Sequence, residues 1–162
     1  MKKFLIAIIL ITALVLGVSY FVGQASYKER SNTLADEYNM AEVVEAIKLI
    51  VADKETNADI CAEIAENAIV GDSGDNEMTI TFKPSNDDKA VYKFSDAVIN
   101  NGKSLKDCNA LYVKLASIFG DTIKIRSKKY QNSDYAISIR VDINDGMAEF
   151  EQINGQFSNN AD

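Results

Sequence analysis

Histidine and tryptophan are absent from the chain, proline occurs once and cysteine twice. Without histidine the chain lacks the commonest general base and transition-metal ligand at neutral pH. Ser-His-Asp and Cys-His catalysis are excluded, and ordinary zinc hydrolase sites lose their usual ligands. Positive charge is also scarce: 17 Lys and Arg stand against 24 Asp and Glu, a net charge of −7. Lys2 and Lys3 come before the first apolar run, so the chain after them carries −9. A domain this acidic gains nothing from phosphate attraction, and nucleic acid is not an expected partner. No internal repeat or low-complexity linker is present, and 162 residues suffice for one ordinary domain plus a membrane segment.

Apolar residues are concentrated at the start. Residues 4–23 read FLIAIILITALVLGVSYFVG, without a charge. As a helix rising about 1.5 Å per residue they span about 30 Å, the hydrocarbon thickness of a bilayer. Lys2 and Lys3 are expected to stay on the cytoplasmic side, which places the body outside. Two readings compete. Gly23-Gln24-Ala25 offers small residues for signal-peptide cleavage before Ser26. Against this, the run is long for a signal peptide, and Tyr20, Phe21 and Val22 crowd the cleavage region, so retention as an anchor is the expectation.

Neither Pro nor Gly occurs from Gln24 to Val70. The stretch 24–53 reads as helix continuing from the membrane segment. Met40, Val44, Ile47 and Val51 recur at spacings of 4, 3 and 4, the face expected to pack on the head, and Val43 and Ile50 widen it. Leu34, Tyr38 and Ala41 are expected to extend it round the cylinder. The chain thus divides into a membrane part of the helix (1–25), an amphipathic part (26–53), an α+β head (54–155) and a frayed tail (156–162).

Thr56-Asn57-Ala58-Asp59 reads as a capping box opening a second helix to about Val70, with Ile60, Cys61, Ile64, Ala65 and Ala68 on one face. After the loop 71–77, Met78, Ile80 and Phe82 alternate with Thr79 and Thr81 as a half-buried strand. Pro84 to Asp88 reads as a turn and Val91–Phe94 as a second strand. Ser104 to Asp107 is another capping box, leading a helix with Cys108, Leu111, Leu115 and Ile118 on one face and Gly120 as its stop. Strands are expected at 123–125 and 136–141, and Asn144-Asp145-Gly146 is a hairpin turn into 147–153. The fold class is therefore α+β: a long N-terminal helix packed on an antiparallel sheet.

Outside the cytoplasm two cysteines normally pair. A Cys61–Cys108 bridge would close a loop of about 50 residues, worth about 4 kcal/mol in the chain-entropy model. The alternative is two buried free thiols. No C-x-x-C supports a redox role. Asp72, Asp75 and Glu77 offer carboxylates for calcium, but the spacing does not match an EF-hand and a solvated loop is expected. Asp87 and Asp88 are a carboxylate pair better explained by a polar turn. Lys124, Arg126, Lys128 and Lys129 form the basic cluster, read as the polar face of a strand and its turn, with an acidic neighbour or lipid headgroups as the alternative contact.

Three stretches give the chain a likeness to a known family. They are the apolar block running into FVGQASYKERSNTLADEYNMAEVVEAI, the segment LKDCNALYVKLASIFGDTIKI at 105–125, and the order long helix, helical loop region, antiparallel sheet. In these it resembles the type IV pilins, in particular the type IVb group. The resemblance implies a structural subunit or minor component of a pilus or related secretion or conjugation filament. It assigns Phe4, Leu5, Ile8, Ile11, Leu14 and Val18 to assembly through the helix. Other pilin subunits, the inner membrane and the pilus assembly machinery become the expected partners, with the head in the periplasm or on a cell-surface pilus. It implies no cofactor, no metal and no catalytic residue. A prepilin carries glycine before its cleavage point and glutamate five residues into the mature chain. Here Lys3 precedes Phe4, and Ala7 or Ile8 stands at the glutamate position, which points to a minor or divergent member. The alternative class is a membrane-anchored or secreted periplasmic binding or adaptor protein that forms no filament. An enzyme using carboxylates alone is a third.

Overall fold

The computed structural model describes residues 2–70, 76–100, 102–132, 135–142 and 147–154, and the side chains of these except 2–21, 135, 147 and 149–154. Helix α1 runs unbroken over Lys2–Ala52. It stops where Asn57 folds back, its Nδ2 donating to the carbonyls of Ile50 (3.2 Å) and Asp53 (3.1 Å). Those bonds satisfy carbonyls that a helix end leaves open. They also explain why the capping box expected at Thr56–Asp59 does not form. Asn57 stands at the N-cap of helix α2 (Ala58–Asn67), but its side chain makes no cap bond there.

Helix α2 ends earlier than the sequence suggests. Ile69–Val70 is already extended, as strand β1 pairing with the start of β2 (Asn76–Phe82). Strand β2 lies between β4 (Val98–Ile99) and β7 (Tyr135–Asp142), and β4 pairs with β5 (Lys103–Ser104). Strand β8 (Met147–Asn154) completes an antiparallel six-stranded sheet in the order β5-β4-β2-β7-β8, with β1 off that path. The hairpin turn expected at 144–146, the acidic loop residues Asp72 and Asp75, and the tail 156–162 lie outside the described residues. Val91–Lys93 (β3) joins not this sheet but β6 (Thr122–Lys124), as a separate two-stranded ribbon. The hairpin β4–β5 was not anticipated.

Register sorts the sheet into two faces. Met78, Ile80 and Phe82 stand opposite Val141, Ile139 and Ile137, and all six are buried. Strand residues alternate faces. Their neighbours Glu77, Thr79, Thr81, Ser138 and Arg140 therefore form the other, polar face. On it Glu77 pairs with Arg140 at 3.7 Å, and the Thr81 and Ser138 hydroxyls meet at 3.0 Å. Helix α1 lies against β8, and α2 lies against β2. Helix α3 (Asn109–Phe119) follows a 3-10 turn at Leu105–Asp107, where the Ser104–Asp107 capping box does form. Gly120 ends α3 at φ 76°, a conformation glycine adopts without strain. Leu111 and Leu115 are buried, whereas Ile118 is exposed and Phe119 packs in its place against the core.

Candidate functional site

The outer half of α1 carries two opposed faces, and its lower part carries a latch. Met40, Val44, Ile47 and Val51 are buried, joined by Val43 and Ile50. At about 100° per residue these six centre on one side of the helix. The sequence reading extended that face with Leu34, Tyr38 and Ala41. This is corrected: all three are exposed. Tyr27 (75% exposed), Leu34 (58%), Tyr38 (65%) and Leu49 (65%) instead fall within about 60° of one another, on the side opposite the core. This outer stripe runs about 33 Å along the axis. Toward the N-terminus it leads into the apolar run 4–23. The side chains of the expected assembly residues Phe4, Leu5, Ile8, Ile11, Leu14 and Val18 lie outside the described residues. Among the residues whose side chains are described, from Val22 on, no helix is long and apolar enough to cross a membrane.

Below Met40 the head-facing side of α1 turns polar. Residues 124–130 descend along it, antiparallel to the helix. Asn39 Nδ2 donates to the Lys124 carbonyl and Asn32 Nδ2 to that of Arg126. Asp36, fully buried, accepts from the Arg126 amide (2.9 and 3.1 Å) and the Ser127 amide (2.8 Å). Glu29 accepts from the Lys128 and Lys129 amides (2.7 and 3.3 Å), the opening of the short helix α4 (Lys128–Gln131). Glu37 accepts from the Tyr130 hydroxyl at 2.8 Å. The Tyr92 hydroxyl in turn donates to the Tyr130 carbonyl at 3.0 Å. Burial, with the Tyr130 and Asp36 charges, holds the Tyr92 phenol well above its usual range. This latch fixes the head against α1 mainly by side-chain-to-backbone bonds, those accepted by Asp36 and Glu29 strengthened by the carboxylate charge. Sequence reading missed it. The one available signal is the polar series Glu29, Asn32, Asp36 and Asn39, at spacings of 3, 4 and 3 on the head side.

The expected disulfide is also corrected: Cys61 and Cys108 are free, buried thiols. The direction of Cys61 explains this. Two residues on, Glu63 reaches the start of α3 and accepts from the Ala110 amide (2.9 and 3.1 Å) and the Leu111 amide (3.3 Å). Cys108 sits at that same helix start, as its N-cap. Residues two apart on a helix point about 200° apart, so Cys61 faces away from Cys108. Burial pushes both thiols above the ordinary range. A raised thiol favours the neutral form in the fold. The stability this gives is fully present below the unfolded thiol range and is lost as pH rises through the folded one. Both cysteines are expected to resist a thiol reagent at neutral pH in the native protein and to react fully in denaturant; prompt native reaction would contradict their burial. Glu63→Ala, which strips the cap from α3, is expected to cost about 1–2 kcal/mol in urea unfolding, and an unchanged midpoint would show the cap to be idle.

Asp87 and Asp88 serve the turn: Asp88 Oδ1 accepts from the Ala90 amide, and Asp87 pairs with Lys93 at 2.9 Å in solvent. No group of side chains suited to a metal ion occurs among the described residues. An open cleft of about 430 Å³ lies between the first turn of α2 and α3, lined by Thr56, Asn57, Ile60, Val113, Lys114 and Ser117. Compared with models of protein families, with curated proteins and with solved structures, the chain matches none.

Proposed function

We propose that the protein is a structural subunit, or minor component, of a type IVb-like pilus or related filament. In this reading residues 4–23 span the inner membrane while the subunit is stored, and α1 is the element through which copies assemble. The observation that carries it is the outer stripe of Tyr27, Leu34, Tyr38 and Leu49. A helix whose core face is already satisfied by its own head has no monomeric reason to keep four large apolar side chains on the opposite side, where Glu45 is the charged residue among them. Burying such surface among neighbouring helices contributes roughly 25 cal/mol per Å². The two-part rod suits both environments: apolar all round where lipid surrounds it, two-faced where one side meets the head and the other a neighbour.

Shearing cells and sedimenting the released material tests this. The chain is expected in the sedimented filaments, and to be lost from them when Ile11 or Leu14 is changed to Asp. A chain that never leaves the membrane fraction of filament-bearing cells would overturn it. The second reading, an anchored or secreted binding or adaptor protein, is favoured by one feature, the α2–α3 cleft.

A further inference from the structure

Among the described residues Lys28, Arg30, Lys124, Arg126 and Lys128 are exposed and take part in no ion pair. The carboxylates beside them are engaged elsewhere. Glu29 and Asp36 accept backbone amides of the descending segment, and Glu37 takes the Tyr130 hydroxyl and, at 4.0 Å, Lys129. Latching the segment by its backbone leaves its cationic side chains turned to solvent. The lower end of the head is therefore positive in a chain that is otherwise strongly acidic.

Height along α1 decides what these cations meet. Gly23 ends the apolar run. Lys28 and Arg30 lie about 8–10 Å beyond it, at 1.5 Å per residue. Lys128 stands at the same level, because its amide is bound by Glu29. Headgroups extend about 5–8 Å beyond the hydrocarbon on each side, and charges act over about 8 Å at physiological salt. Arg126, bonded at the level of Asn32 and Asp36, is the next cation up. Lys124, at the level of Asn39, is about 24 Å beyond Gly23 and out of range.

We propose that Lys28, Arg30 and Lys128, with Arg126 above them, rest on anionic phospholipid headgroups while the subunit is stored in the membrane. The inference rests on the reading of residues 4–23 as a bilayer span. Contact at three points around α1 would fix the height and tilt of the head, and so the direction in which the outer stripe faces.

The test uses the full chain in vesicles of phosphatidylcholine, alone or with one part in three phosphatidylglycerol. A membrane-impermeant amine reagent is applied and acylation of each lysine is followed by mass spectrometry. Lys28 and Lys128 are expected to react roughly fivefold more slowly in the anionic vesicles, the factor set by about 1 kcal/mol per cation near such a surface. High salt should restore the rates, Lys106 and Lys114 should be indifferent to the lipid, and Lys124 should change little. Arg30→Glu combined with Arg126→Glu should weaken the protection of Lys28. Co-flotation with rates that ignore the lipid would overturn the inference alone. So would protection that includes Lys124 and grows with protein density, since it would place a second copy's acidic surface on the patch. A chain that floats with neither vesicle would overturn the spanning reading, and this inference with it.

Discussion

Asp36→Ala is expected to lower the stability of the head by about 3 kcal/mol, the largest effect expected of a polar substitution among the described residues. Its carboxylate is fully buried and takes the Arg126 and Ser127 amides together. Hydrogen bonds to a charged partner contribute about 1.5–3 kcal/mol each, and a buried donor left without its acceptor pays its full desolvation penalty. Asp36→Asn should cost less, about 1–2 kcal/mol. The amide oxygen can take the place of Oδ2 and accept from both amides, but the charge is lost and the NH2 then faces the Arg126 amide. The loss for Asp36→Ala corresponds to a fall of roughly 10 °C in the unfolding midpoint of a domain this size, readable by circular dichroism in detergent. Asn39→Ala, at the weaker end of the same latch, removes one long bond to the Lys124 carbonyl and should cost well under 1 kcal/mol. A midpoint for Asp36→Ala within 2 °C of the unaltered protein would show that α1 and residues 124–130 do not depend on that carboxylate.

The second large effect falls on assembly and spares the fold. Leu34→Asp and Tyr38→Asp are expected to abolish incorporation into sedimentable filaments while leaving the unfolding midpoint of the subunit almost unchanged. Both side chains are more than half exposed, and surface substitutions of this kind usually move stability by less than about 0.5 kcal/mol. An aspartate buried between packed helices, by contrast, costs several kcal/mol per copy unless paired, and the cost recurs at every subunit. Lys89→Ala, in an exposed turn of the head and off α1, serves as a neutral comparison and is expected to retain filaments. Normal filaments from Leu34→Asp would separate the outer stripe from assembly.

What the sequence made legible follows from the range of the interactions involved. Continuity of α1 and the spacing of Met40, Val44, Ile47 and Val51 are local properties, written within a few turns of one helix. The alternation of Met78, Ile80 and Phe82 is equally local. Leu34 and Tyr38 were misplaced because apolar periodicity shows that residues share a stripe but not which stripe meets the head. Taking the angles from the core residues, rather than extending them row by row, would have put Tyr27, Leu34, Tyr38 and Leu49 on the far side. The latch was not legible. Asp36 and its amide donors are about 90 residues apart, and backbone donors leave no mark in the sequence. The cysteine pairing failed for a related reason. Both residues lie on buried faces, but whether two buried faces point at each other depends on how α2 and α3 are set, and Glu63 rather than Cys61 occupies the side toward α3. The β4–β5 hairpin escaped notice because its strands are two residues each, too short to show alternation.

Cysteine accessibility at position 34 probes the two-faced helix most directly. In a Leu34→Cys variant the native thiols stay protected by burial, so a membrane-impermeant maleimide reports on the stripe alone. The label is expected to react readily with the subunit in the membrane fraction and to be excluded from the same subunit in sheared filaments. Equal reactivity in the two fractions would contradict the assignment of this face to contacts between copies.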